Sequence, residues 1–231
     1  EIYTLSLHDA LPIFGAALPV VVAVGGCGPD LARRVKAHAE KIKVGYGMDE
    51  GVEMGPVIDA KSKEFIVGLV NEGEADGGEV VLDGRDLVIP GHEKGHFVGP
   101  TIVDNVPVTS RLYKEEVFGP VLTIVHADTY EEAIKQVNSS PFGNGAAIFT
   151  NDGGVARRFT LDVEAGMVGV NVPIPTPVAY YSFGGWKESL LGDTHIHGPE
   201  GVRFYTRAKA VTSRWPSEKT YAATMSFQRE E

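Results

Sequence analysis

Two adjacent carboxylates, Glu115 and Glu116, precede a lone ring, Phe118, and a Gly119-Pro120 break that opens onto an apolar run. A carboxylate can accept two hydrogen bonds at once, which suits Glu116 to a cis-diol. A flat ring two residues further, across a Gly-Pro turn, can pack against a planar group and hold it in one orientation. An isolated Glu-x-Phe is ordinarily an acidic loop beside a core phenylalanine. Here the pattern extends from Lys114 to Val121 and leads into a predicted strand, Val121–Val125, which favours the binding reading.

Other reactive side chains carry less. Cys27, the single cysteine, lies in Gly25-Gly26-Cys27-Gly28 and reads as a small residue in a glycine turn. It cannot form an internal disulfide, which fits a reducing compartment. The pairs His195/His197 and His92/His96 lack a third ligand at fixed spacing and read as polar turn histidines, so no metal is expected. The glycine run around Cys27 has neither the G-x-G-x-x-G spacing nor a P-loop lysine, which argues against a phosphate cradle.

The bulk of the chain is that of a globular α/β protein. Its 231 residues can bury a real core in one or two domains. A net charge of -10 argues against nucleic acid or an anionic membrane as partner, since both favour a basic face. No apolar run approaches the length of a membrane span.

These residues must be positioned by a repeating pattern of strands and helices. Leu18–Val24 is a continuous Val-rich run suited to a buried parallel strand. Pro29 and Asp30 open a helix carrying Leu31, Val35 and Ile42. A second helix over 58–70 is expected to bury Phe65, Ile66, Leu69 and Val70. Val80–Leu82 and Thr101–Val103 read as short strands, with a turn-rich excursion between Gly84 and Gly99. Thr129 and Glu132 form a capping box for a helix burying Ala133, Ile134 and Val137. Ala146–Thr150 and Met167–Val172 read as strands flanking a helix capped at Asn151-Asp152. The order predicts a mainly parallel sheet with helices on its faces. Pro173–Pro177 reads as a stiff connector, and Phe204–Trp215 contains an alternating strand pattern that could pair outside the first sheet.

Several of these segments resemble aldehyde dehydrogenases. The Glu-Glu-Val-Phe-Gly-Pro run at 115–120 is similar to that family's nicotinamide-side motif, and Ser182-Phe183-Gly184-Gly185-Trp186-Lys187 to its Phe-Gly-Gly-x-Lys loop. Gly55-Pro56-Val57-Ile58 and Gly99-Pro100-Thr101-Ile102 also match. Asn171-Val172-Pro173-Ile174-Pro175-Thr176-Pro177 and the segment from Gly192 through Val202 to Phe204-Tyr205-Thr206 look closer to the CoA-acylating methylmalonate-semialdehyde branch. The resemblance covers about residues 17–215 and is most specific over 166–215.

The resemblance implies an α/β aldehyde dehydrogenase catalytic domain with a parallel sheet, flanking helices and a C-terminal oligomerisation strand. It assigns Glu116 to the nicotinamide ribose and Phe118 to the nicotinamide ring. It implies NAD as cofactor, CoA as co-substrate, a small semialdehyde as substrate and a homo-oligomer in the cytoplasm. A thiolate would attack the aldehyde, pass hydride to NAD and release the acyl group to CoA, with loss of CO2. Alternatives are a CoA-independent aldehyde dehydrogenase and a non-catalytic oligomerisation module.

One departure from the family concerns the nucleophile. The family pattern Cys-Met-Ala-Leu-Pro aligns with Gly15-Ala16-Ala17-Leu18-Pro19, so Gly15 stands where the thiol is expected and no catalytic residue is assigned. Tyr3–Ile13 translates a common sequencing adapter in frame. Residues 1–14 therefore read as adapter-derived, and the natural protein is expected to be longer at its N-terminus. The remaining divisions expected are a truncated catalytic domain at 15–178, a return loop and oligomerisation strand at 179–215, and a loose tail at 216–231.

Overall fold

A computed structural model describes residues 19–173 and 175–215. The expectations placed on residues 1–14, Gly15 and the tail at 216–231 lie outside the described residues.

Four strands form the main sheet: β1 (Val20–Val24), β2 (Glu79–Leu82), β3 (Thr101–Asp104) and β4 (Val121–Ala127), in the order β1-β4-β3-β2. β1, β4 and β3 run parallel, while β2 is an antiparallel edge strand. Side chains alternate across a strand, so each strand's apolar set divides between the two faces. Val121 and Val125 of β4, with Val20 and Val22 of β1, pack with Ile66, Leu69 and Val70 of α2 (Ala60–Ala75). Leu122 and Ile124, with Val21 and Ala23, pack with Leu31, Ala32 and Val35 of α1 (Gly28–Ala39). A helix therefore covers each face, which accounts for a β4 sequence that is apolar without alternation.

Helix starts follow local chemistry. Asp59 caps α2 by accepting from the Ser62 amide at 2.7 Å. Pro29 occupies the first turn of α1, where a missing N–H costs nothing. A one-turn helix, α3 (Arg111–Lys114), is capped by Ser110. Thr129 caps α4 (Tyr130–Asn138), accepting from the Glu132 amide at 3.2 Å. The return arm of the predicted capping box differs: Glu132 accepts from the Asp128 amide at 2.8 Å rather than from Thr129.

A second layer begins at α4. Strands β6 (Gly145–Ile148) and β7 (Met167–Val170) form a separate parallel pair, with α5 (Gly153–Asp162) between them. Ile134 and Val137 of α4 pack with Phe159, Val163 and Ala146 in the core of this layer. The expected single run of parallel strands is thus divided in two. β5 (Phe142–Gly143) pairs with β8 (Trp186–Lys187), a short antiparallel ladder that sequence periodicity did not reveal.

Three further expectations are corrected. Ile42 lies beyond α1, which ends at Ala39. Phe65 is exposed, because the buried stripe of α2 is Ile66, Leu69, Val70 and Gly73, and Phe65 falls one position around the helix. Phe204 and Tyr205 close a helix, α6 (Gly198–Tyr205), with Pro199 in its first turn, instead of starting a strand. Residues 206–215 are exposed and belong to no strand ladder among the described residues.

Candidate functional site

The loop from Glu115 to Pro120 is built between α3 and β4, at the N-terminal end of the parallel strands. Glu115 and Glu116 have different fates. Arg111 donates to both Glu115 oxygens, at 2.7 and 3.0 Å, and this pairing holds the Glu115 carboxyl below the usual carboxylate range. Among the described residues no hydrogen bond or ion pair engages the Glu116 side chain. Partial desolvation raises the Glu116 carboxyl pKa, although the residue as a whole stays exposed.

Val117 is the inward anchor of the loop, 7% exposed and part of the core against α2. Phe118 beyond it is 57% exposed. The exposed-buried-exposed sequence turns Glu116 and Phe118 both outward, leaving an uncommitted carboxylate near an open ring. A Cβ at Gly119 would stand 2.5 Å from Ile66 Cδ1 of α2, so the loop backbone approaches that helix closely. The loop thus lies directly on that helix.

Val20 pairs with Thr123, and the Thr123 amide donates to the Pro19 carbonyl at 2.9 Å. The segments leading into β1 and β4 therefore arrive at the same end of the sheet. Cys27 is at the other end, in a single 3-10 turn (Gly25–Cys27) between β1 and α1, where it packs half-buried against the α1-side core. One strand of five residues, about 16 Å at the usual rise, separates the two ends.

At Cys27's end of the sheet, His126 Nε2 lies 2.7 Å from Asp104 Oδ1. The imidazole presses on Gly28, where a Cβ would stand 2.1 Å from its Cε1. This pair ties β3 and β4 to the start of α1.

The Phe-Gly-Gly-x-Lys loop is held by contacts that explain its composition. Gly184 closes on Gly166, where a Cβ would meet the Gly184 carbonyl oxygen at 1.8 Å. Phe183 stacks on His197 with centroids 4.4 Å apart, and His195 lies against Gly184. The two histidines thus pack the loop. Lys187 donates to the Asn138 and Ser140 carbonyls at 2.7 and 3.1 Å and pairs with Glu164 at 2.8 Å. Asn171 joins the ends of β6 and β7, accepting from the Thr150 amide and donating to the Thr150 carbonyl. His92 stacks on Tyr46. Among the described residues no group of three or more His, Cys, Asp or Glu side chains is placed to hold a metal ion.

The Arg111 ion pairs and the partners of Lys187, which the resemblance placed only within a family loop, were not read from the sequence. The spacing of Arg111 to Glu115 by one helical turn was the available signal for the first. For Lys187 the carbonyl partners are distant in sequence and left no signal.

Helices on both faces of a mainly parallel sheet, with an exposed carboxylate and ring in the loop before a central strand, make an α/β architecture. The aldehyde dehydrogenase family model matches residues 17–211, and the chain belongs to that family. Malonate-semialdehyde dehydrogenase of Pseudomonas aeruginosa is 47% identical over 209 residues, covering 90% of this chain and 42% of that protein. The crystal structure of methylmalonate-semialdehyde dehydrogenase from Oceanimonas doudoroffii superposes with TM-score 0.84 at 46% identity, covering 88% of this chain and 44% of that one. A putative methylmalonate-semialdehyde dehydrogenase from Sinorhizobium meliloti, solved with NAD, gives TM-score 0.83 at 44% identity, covering 87% and 41%. The chain therefore spans less than half the length of these relatives.

Proposed function

We propose that this chain carries the C-terminal part of the catalytic domain of an NAD-dependent, CoA-acylating malonate- or methylmalonate-semialdehyde dehydrogenase. The reaction is semialdehyde, CoA and NAD giving acyl-CoA, CO2 and NADH. The observation that carries this reading is the free Glu116 carboxylate beside the open Phe118 ring, in a family whose NAD-bound relative is similar over most of this chain.

The residues present fit a nicotinamide nucleoside. Glu116 has both carboxylate oxygens uncommitted among the described residues and can accept from two ribose hydroxyls at once. Phe118 offers an exposed face for the flat ring and restricts its orientation. NAD, when bound, supplies the hydride acceptor. Ionised Glu116 can accept a hydrogen bond from each hydroxyl, so ribose binding is expected to strengthen as pH rises through its raised pKa.

CoA as co-substrate, a homo-oligomer, a cytoplasmic location, and the divisions at 178 and 215 belong to the same proposal. CoA finds support in relatives named as acylating enzymes. No helix among the described residues is long and apolar enough to cross a membrane.

Gly15 occupies the position where the resemblance expects the thiol, and Cys27 lies at the far end of β1. This chain is therefore expected to form no NADH from malonate or methylmalonate semialdehyde with NAD and CoA. NADH formation abolished by Cys27→Ser would overturn the assignment of the nucleophile.

A further inference from the structure

The Arg111 guanidinium joins two elements that are far apart in sequence. Its Nε and Nη2 donate to Glu115 at 2.7 and 3.0 Å, while Nη1 donates to both oxygens of Glu72 on α2, at 2.8 and 3.0 Å. The Glu115 amide also donates to the Arg111 carbonyl at 2.8 Å. The other end of the loop rests on the same helix, through the packing of Gly119 on Ile66. Val117 packs into the core between these two attachments.

Resting on the reading of Glu116 and Phe118 given above, we infer that Arg111 is a positioning residue for the nicotinamide clamp. It fixes Glu115 to α2, and so sets the place of the neighbouring Glu116 and of Phe118. α2 acts as the ruler against which the loop is measured. An isolated exposed ion pair contributes little, but a planar guanidinium shared by two carboxylates loses less freedom per bond. Lysine, a single point charge, cannot reproduce the fork.

The test uses Arg111→Met and Arg111→Lys in this chain, with amide hydrogen exchange and nicotinamide riboside titration followed by NMR. In Arg111→Met, exchange at the Glu115 and Gly119 amides is expected to rise roughly three- to tenfold, with β4 amides unchanged. Nicotinamide riboside affinity is expected to fall by a similar factor, and Arg111→Lys to recover only part of it. Unchanged exchange and affinity in Arg111→Met would overturn the inference. So would equal acceleration throughout β4, which marks general destabilisation. Glu116→Gln and Phe118→Ala are the controls for the underlying reading. If they leave nicotinamide riboside binding unchanged, or if the unaltered chain does not bind it, the clamp assignment falls and the inference with it. If they weaken binding while Arg111→Met does not, only the inference falls.

Discussion

Val20 of β1 stands opposite Thr123 of β4 in parallel register. The Thr123 amide donates to the Pro19 carbonyl at 2.9 Å. Two segments more than a hundred residues apart in sequence thus arrive at one end of the sheet. Cys27 lies beyond the opposite end of β1, one five-residue strand away.

Gly28→Ala is expected to destabilise the chain by about 1–3 kcal/mol, because the added methyl meets the His126 ring. The ring must then leave Asp104, or α1 must shift. Denaturant unfolding measures the loss. In the background of His126→Ala the same glycine change should cost much less, giving a non-additive double-mutant cycle. Additive costs would show that the contact with His126 is not the cause.

Lys187→Met should lower stability by about 1–2 kcal/mol, since the Asn138 and Ser140 carbonyls lose a charged donor. The residue sits at φ 52°, so part of the conformational strain is borne by its contacts. Lys187→Gly relieves that strain but also loses the donor. Lys187→Gly is therefore expected to be less destabilising than Lys187→Met, by thermal unfolding of both. Equal stability of Lys187→Met and the unaltered chain would remove the claim that Lys187 holds the loop to the end of α4.

Glu116→Gln has a pH-dependent effect of definite sign. Partial desolvation raises the carboxyl pKa in the folded chain above its unfolded value. Folding therefore favours the protonated form, and that contribution is lost as pH rises through the folded pKa. The glutamine variant is expected to be slightly more stable than the unaltered chain at neutral pH. The difference should vanish below the ordinary carboxylate range. A variant less stable at neutral pH would mean that Glu116 is held by a favourable partner, contrary to its free carboxylate.

Much of the scaffold is legible in residue types. The Val-rich runs of β1 and β4 predict buried parallel strands, and each lies between helices on both faces. Thr129 and Asp152 mark helix starts through short side chains that accept from nearby amides. The motif around Glu116 is contiguous, so its exposed-buried-exposed pattern needs no distant partner. What escaped depends on distant partners. Arg111 and Glu72 are 39 residues apart, and the place of Glu72 on α2 is set by core packing. The alternation over Phe204–Trp215 predicts a strand, yet Gly198 at φ 63° and Pro199 start a helix that continues through Tyr205. A β-ladder needs an edge to pair with, which a local pattern cannot supply.

The assignment of Glu116 and Phe118 as a nicotinamide nucleoside clamp is tested most directly by saturation transfer NMR with nicotinamide riboside. Saturating the Phe118 ring, identified by its disappearance in Phe118→Ala, should transfer signal to the nicotinamide protons. Glu116→Gln should weaken that transfer at neutral pH. Transfer that is absent, or unchanged by Glu116→Gln, would contradict the account.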